Sequence, residues 1–471
     1  MTLRQRALSS RTVLLTLAAL HVAMKIALLP RVLSSPLQGD EVAYNNSAKA
    51  IAIAIRDLVS GASLPVHLIK LDVVGNGWFM PGVSALLAPL YLVDPSAGYH
   101  AVRIYVGVVS LVLFLGGVYV TRRVLGARYA AALLVVPGLI PMWVLFTYTA
   151  WGDLLGGLLV VALVMLLLTM WRDLESGRSA RLRHGVALGV LLALTLYLRS
   201  SALPLVVGAL ALAGIGVLVR ARGRALVQSV VTCAVAAVVF GAIVAPWSIA
   251  VSKVFDHRVV TTTTLPISMG YAFGNTSELC FGPCPPGNPW TSMVSYSRAV
   301  AKQTGLSEVV VQKQMSDYAM RNVTPSSYAG DTLSDFRRYS LEPTGFAPIF
   351  TKSGTTNGFV SALIDAGTNV LYFAGLALAA ISIVTVRRIP SINQLATLLS
   401  SLFLAALMMQ PFVHICTARY WPVYAPMVGI AAAGLLVRRD KERSNRTLRL
   451  AGGIVACGWV VVIGGLFVVG A

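Results

Sequence analysis

Two adjacent carboxylates, Asp40 and Glu41, stand in the stretch GDEVAYNNSA, directly beyond an apolar run over 12–30. A charged side chain at the centre of a membrane helix costs about 2.5–3.5 kcal/mol, so acids at a bilayer boundary invite a chemical reading. Asp153 follows the turn TYTAWGD, Arg103 opens the run over 101–121, and Arg199 ends another in LYLRSSALP. His414, Arg419 and Tyr420 share the turn PFVHICTARYWPVYAP. Acids and bases from several helices at one depth mark a polar cavity, in which an acid can take a proton from a hydroxyl and arginines can hold a phosphate. Each group also has a plainer reading. Arg103 and Arg199 can snorkel to headgroups, Asp153 can cap its helix, and Asp40-Glu41 can be solvated loop residues. His414 suits an interfacial histidine better than a catalyst.

The elements that position these groups are membrane spans. The chain has 471 residues, 56% hydrophobic and only 12% charged, more apolar surface than a soluble domain can cover. The net charge of +20 would suggest nucleic acid in a soluble protein, but here the basic residues cluster in short loops between apolar runs, so no nucleic-acid partner is expected. Apolar segments fall at 12–30, 79–93, 101–121, 130–148, 151–171, 185–199, 201–219, 226–249, 367–386, 394–412, 420–437 and 450–470. If 79–93 crossed the bilayer, every later basic loop would lie outside. It is short, carries Pro81 and Pro89, and reads as an interfacial helix, since a span needs about 20 apolar residues.

The other segments then make an all-α polytopic membrane protein of about 11 transmembrane helices with the N-terminus and all short basic loops cytoplasmic. Two large non-cytoplasmic regions remain, 31–100 and 250–366. The first is expected to hold surface helices near 44–60 and 79–93, the second mostly loops with a helix near 296–320. The domain division is therefore a module over 1–249 that includes the loop 31–100, a loop region 250–366, and C-terminal spans over 367–471. Arg4, Arg6 and Arg11 precede the first run as in a signal peptide, but no small-residue cleavage site follows, so the first span is read as uncleaved. Of five cysteines, Cys280 and Cys284 in CFGPC are close enough to cross-link in an oxidising compartment.

With these residues in view, the chain resembles the GT-C superfamily of integral-membrane glycosyltransferases, closest to bacterial relatives of protein O-mannosyltransferases and lipid A aminoarabinose transferases. GDEVAYNNSAKAIA is similar to the family's acidic motif with its Tyr-containing helix, here Tyr44, and WFMPGVSALLAPLYL to the proline-rich helix that follows. In AVRIYVG, Arg103 falls on a recurrent arginine; TYTAWGDLL puts Asp153 at a second acidic site where Glu is more usual. LALTLYLRSSALPLVV resembles the helix pair joined at an arginine, Arg199, and CTARYWPVYAPMVG the late helix with Arg419 and Tyr420. Met80-Pro81 stands where the family has Pro-Pro, and Lys70 is the nearest upstream base.

The resemblance implies a sugar donor carried on a polyprenyl phosphate, a hydroxyl-bearing acceptor on a glycolipid, polysaccharide or protein, and a site at the outer face of a bacterial inner membrane. Asp40 is then the general base of an inverting displacement. Glu41, Asp153 and Tyr44 orient or bind the acceptor, while Lys70, Arg103, Arg199, Arg419 and Tyr420 hold the donor phosphate. A divalent metal on Asp40 and Asp153 is a further option. Adjacent helical residues point about 100° apart, so only one of the acidic pair faces the reacting centre. The rival class is a transporter or lipid flippase, which would place its acids near the midplane of discontinuous spans rather than at span ends.

Overall fold

A computed structural model describes residues 3–75, 77–287, 289–346 and 358–437, and all regular structure among them is helical. In chain order the principal helices begin with α1 (Leu3–Leu33), α2 (Asp40–Ser60), α3 (Gly82–Val93), α4 (Tyr99–Leu125), α5 (Ala127–Val135) and α6 (Pro141–Phe146). There follow α7 (Gly152–Glu175), α8 (Leu182–Leu198), α9 (Leu203–Arg220), α10 (Gly223–Val254), α11 (Leu265–Phe273) and α12 (Pro289–Thr304). The last are α13 (Glu308–Met320), α14 (Pro325–Leu341), α15 (Gly358–Val384), α16 (Ser391–Leu407) and α17 (Ala425–Ala433).

Seven of the described helices are long and apolar enough to cross a membrane, and α8 and the 425–437 segment are shorter apolar helices. The run over 130–148, read as one continuous span, is two helices: α5 stops before Pro137, and Pro141 opens α6. Proline lacks the N–H and clashes with the preceding turn, so the ladder cannot run through. The segment 450–470 lies outside the described residues. The chain is thus a multi-pass, all-α membrane protein. The stretch 79–93 folds as α3, whose 12 residues extend only about 18 Å.

The region 250–366 departs most from its expected loops. α11, α12, α13 and α14 occupy it, and Ile267, Leu279, Met293, Val294, Val311 and Met315 share a core of their own. Cys280 and Cys284 are joined in a disulfide beside that core. Trp78, from the first loop region, packs on the same core, and the Thr263 N–H donates to Gly77 O at 2.8 Å. The two loop regions therefore form one cap.

α7 is the most buried of the spans, and two of its glycines allow backbone contact that sets the site. A Cβ on Gly152 would collide with Leu198 O, and one on Gly157 with Val423 O. Without side chains there, Asp153 is drawn against the α8–α9 junction and the turn over Ala418–Val423. The cap is pinned to the end of α16 by Tyr339 Oη donating to Leu407 O at 2.7 Å, to the turn Gln410–Phe412 by Tyr328 Oη donating to Phe412 O at 2.6 Å, and to the turn Ala418–Val423 by Trp421 Nε1 donating to Pro343 O at 3.1 Å.

Candidate active site

Asp40 and Glu41 occupy the first turn of α2, where the free N–H groups of the helix favour negative charge. Gly39 precedes them at φ 55, a left-handed conformation that glycine adopts without strain. The two side chains diverge. Glu41 turns into the bundle, 1% exposed, and pairs with Arg103, 0% exposed. Its Oε1 accepts from Arg103 Nη1 and from the Ala150 N–H at 2.8 Å; Oε2 accepts from Arg103 Nη2 at 2.9 Å and the Gln38 N–H at 3.1 Å. Arg103 also donates to the carbonyls of Ser35 at 3.3 Å, Pro36 at 3.1 Å and Tyr148 at 3.3 Å. A guanidinium has five N–H donors, and this set commits all of them within the protein.

Asp40 faces the other way. Its Oδ2 accepts from Arg419 Nη2 at 2.5 Å, and the pair is part-exposed, 28% and 21%. Arg199, in the break between α8 and α9, pairs with Asp153 and donates through Nη2 to Gln410 Oε1. Both guanidinium groups lie against one aromatic ring: Arg199 Cζ is 4.5 Å and Arg419 Cζ 4.8 Å from the Tyr420 ring centre. Trp151 lies 5.2 Å from Arg419 Cζ. Arg419 Nε and Trp151 Nε1 are buried without an acceptor. Buried donors are nearly always met, so two orphans on neighbouring groups mark where an acceptor-rich ligand fits.

Around this plate stand aromatic walls. Tyr44 meets Phe79 at 4.7 Å with its ring tilted by 53°, and is near enough to Asp40, Arg419 and Arg199 to feel their charges. Burial, the largest effect, raises its hydroxyl pKa, so it stays a proton donor. Trp290 stacks on His414 at 6.0 Å, and His414 meets Tyr420 edge-on at 6.2 Å. Burial above all lowers His414 to about 4; its contact with Ile415 O raises it, Arg199 and Arg419 lower it further, and Asp40 opposes them. His414 is therefore neutral at physiological pH. Its Nδ1 lies 2.5 Å from Ile415 O, so the proton is assigned to Nδ1.

Asp40, Tyr44, Asp153, Arg199, Arg419 and Tyr420 are thus gathered in one place. Arg103 and Glu41, expected at the phosphate and the acceptor, form a sealed pair with no donor or surface left for a ligand. Lys70 is exposed on the turn Ile69–Val74 and shares none of these contacts. A metal on Asp40 and Asp153 does not fit, because each carboxylate already faces a guanidinium. Among the described residues no three His, Cys, Asp or Glu side chains converge as ligands would. Gln410 and Trp151 escaped the sequence reading. A glutamine ending an apolar run in MMQPF was the available signal for the first, and for Trp151 its place in TYTAWGD, two residues before Asp153.

No protein-family model and no curated protein matches the chain. Among solved structures it is similar to the crystal structure of ArnT from Cupriavidus metallidurans bound to undecaprenyl phosphate, at 15% identity over 88% of this chain and 76% of that one, with a TM-score of 0.35. The same protein in the apo state gives 16% identity, the same coverage and a TM-score of 0.33.

Proposed function

We propose that the chain is an inverting glycosyltransferase, moving a sugar from a polyprenyl phosphate to a hydroxyl acceptor at the non-cytoplasmic face of a bacterial inner membrane. The observation that carries this reading is the Arg199–Tyr420–Arg419 plate, with the unmet donors of Arg419 and Trp151 beside Asp40. A phosphate suits those donors, being anionic, rich in acceptor oxygens and, as it leaves the sugar, gaining a second negative charge. The resemblance in sequence motifs supplies the sugar and the polyprenyl carrier.

In this reaction the acceptor oxygen forms a bond to the anomeric carbon while the bond from that carbon to the phosphate oxygen breaks. Asp40 takes the acceptor's proton, and the electron pair leaves on the phosphate. Arg199 and Arg419 hold the growing negative charge. A phosphate leaves without a strong general acid, so one accessible carboxylate suffices. Asp153 keeps Arg199 in place, and Tyr44 offers a hydroxyl donor next to Asp40. Arg103 and Glu41 move from ligand binding to scaffolding: they anchor the start of α2 and so aim Asp40.

The test is a purified Asp40→Asn variant, which we expect to insert and to bind undecaprenyl phosphate, the ligand of the ArnT crystal structure, yet to transfer no sugar from a polyprenyl-phosphate donor. Near-full transfer by this variant would remove Asp40 from the role of base.

A further inference from the structure

Two turns further along α4 than Arg103 lies a cation that the proposed chemistry does not use. Lys25 belongs to the apolar span of α1 and, 4% exposed, turns into the bundle instead of snorkelling to the headgroups. Its Nζ donates to Ser110 Oγ at 3.4 Å and to Thr147 Oγ1, and lies 4.1 Å from the centre of the Tyr148 ring. Two hydroxyls and a π face thus meet the three N–H groups of an ammonium. Among the described residues no carboxylate pairs with it. A cation held inside a span without a counter-charge is costly, and calls for a use.

The bonds around Lys25 close on one short segment, the link from Thr147 to Trp151 that joins α6 to α7. Tyr148 Oη donates back to Lys25 O at 2.7 Å, and Ser110 Oγ donates to Thr147 O at 2.7 Å. Gly107 makes room for the Tyr148 ring, which a Cβ at that position would strike. From the other side Arg103 Nη1 donates to Tyr148 O at 3.3 Å, and the Ala150 N–H to Glu41 Oε1 at 2.8 Å. The next residue, Trp151, brings its unmet indole N–H beside Arg419, whose Cζ is 5.2 Å from the ring. Each step from Lys25 to the plate is a direct contact or a neighbouring peptide unit.

We propose that Lys25 is a positioning residue for the phosphate site. It clamps Thr147 and Tyr148 from within the span, and the clamp holds Trp151 where its indole N–H can serve a phosphate oxygen together with Arg419. A methionine in its place has nearly the same length and shape, and burying it carries none of the desolvation cost of a cation. It leaves the two hydroxyls and the Tyr148 ring without their common partner, however, and the link they hold is free to shift. Stability and phosphate affinity therefore part company: the first is kept or gained, the second is lost. A lysine that only filled space would move both in the same direction.

The inference rests on the phosphate reading of the plate, and its test separates the two. Binding of undecaprenyl phosphate to the full chain in nanodiscs, and reversible unfolding in mixed detergent, are measured for wild type, Lys25→Met, Thr147→Val, Trp151→Phe and Lys25→Met combined with Trp151→Phe. We expect Lys25→Met to weaken binding roughly tenfold, the scale of substitutions along a contact network, with stability equal to wild type or higher. Thr147→Val removes one acceptor of the ammonium at little change of volume and weakens binding in the same direction; if Lys25→Met does not fold, this variant decides by the same two readouts. In the Trp151→Phe background Lys25→Met costs nothing further, because the indole N–H that it positions is gone. Binding by Lys25→Met within about twofold of wild type overturns the proposal. A joint loss of affinity and stability does the same and leaves Lys25 a packing residue, and so does an undiminished effect of Lys25→Met on top of Trp151→Phe. Absence of binding by wild type itself overturns the phosphate reading and this inference with it.

Discussion

The two neighbouring acids give the sharpest test, because they are adjacent in sequence and opposite in surroundings. In Glu41→Gln the amide keeps one acceptor oxygen for the four donors that Glu41 now serves: two from Arg103 and the N–H groups of Gln38 and Ala150. The amide NH2 must also face some of them, donor against donor. Arg103 is left as a fully buried cation without a counter-charge, and breaking such a pair from one side costs about 3–5 kcal/mol. Asp40→Asn removes a part-exposed partner of Arg419, where solvent screens the loss to about 1 kcal/mol or less. At about 1.4 kcal/mol per factor of ten, the two variants differ by roughly one and a half to three and a half decades in unfolding equilibrium.

Reversible unfolding in mixed detergent, followed by tryptophan fluorescence, measures both. Replacing the pair together, Glu41→Leu with Arg103→Met, recovers much of the loss, since no charge is then stranded. The refuting result is Glu41→Gln within about 1 kcal/mol of wild type, or Asp40→Asn as destabilised as Glu41→Gln. Either would mean that the burial difference between the two acids does not govern their roles.

Two further outcomes bear on the site and the topology. Arg199→Ala and Arg419→Ala should each weaken undecaprenyl-phosphate binding by about 10- to 150-fold, the worth of a charged hydrogen bond, while Lys70→Ala stays within about twofold in the same titration. Single cysteines at Ser96 and Ser277 should react with an impermeant maleimide from one side of the membrane and a cysteine at Arg178 from the other; Ser96 labelling with Arg178 would mean that α3 crosses the bilayer.

Much of the architecture was legible in the sequence because span length and charge in the loops are local properties. The α8–α9 junction at Arg199 could be placed from runs of apolar residues and the residue that interrupts them, whereas the helix expected near 44–60 begins four residues earlier, at Asp40. What the sequence could not show is pairing at a distance. Arg103 and Glu41 are 62 residues apart, and nothing in either neighbourhood says that the arginine faces a carboxylate rather than a ligand. The break before Pro137 was passed over because the residues on both sides are uniformly apolar. The cap helices were hidden for another reason. Their small core takes in Trp78 from the first loop region, a contact that 250–366 read alone does not show.

The link between Asp40 and Arg419 spans 379 residues, nearly the whole chain. During synthesis the first acid enters the membrane long before its cation exists, and Asp153 and Arg199 are already threaded while the Tyr420 ring is still to come. The site is therefore finished only when the late turn docks, and a nascent chain lacking it holds an acid at the membrane with no counter-ion. Assembly of the site and complete insertion become a single event: until the late turn docks, Asp40 stands at the membrane without its cation.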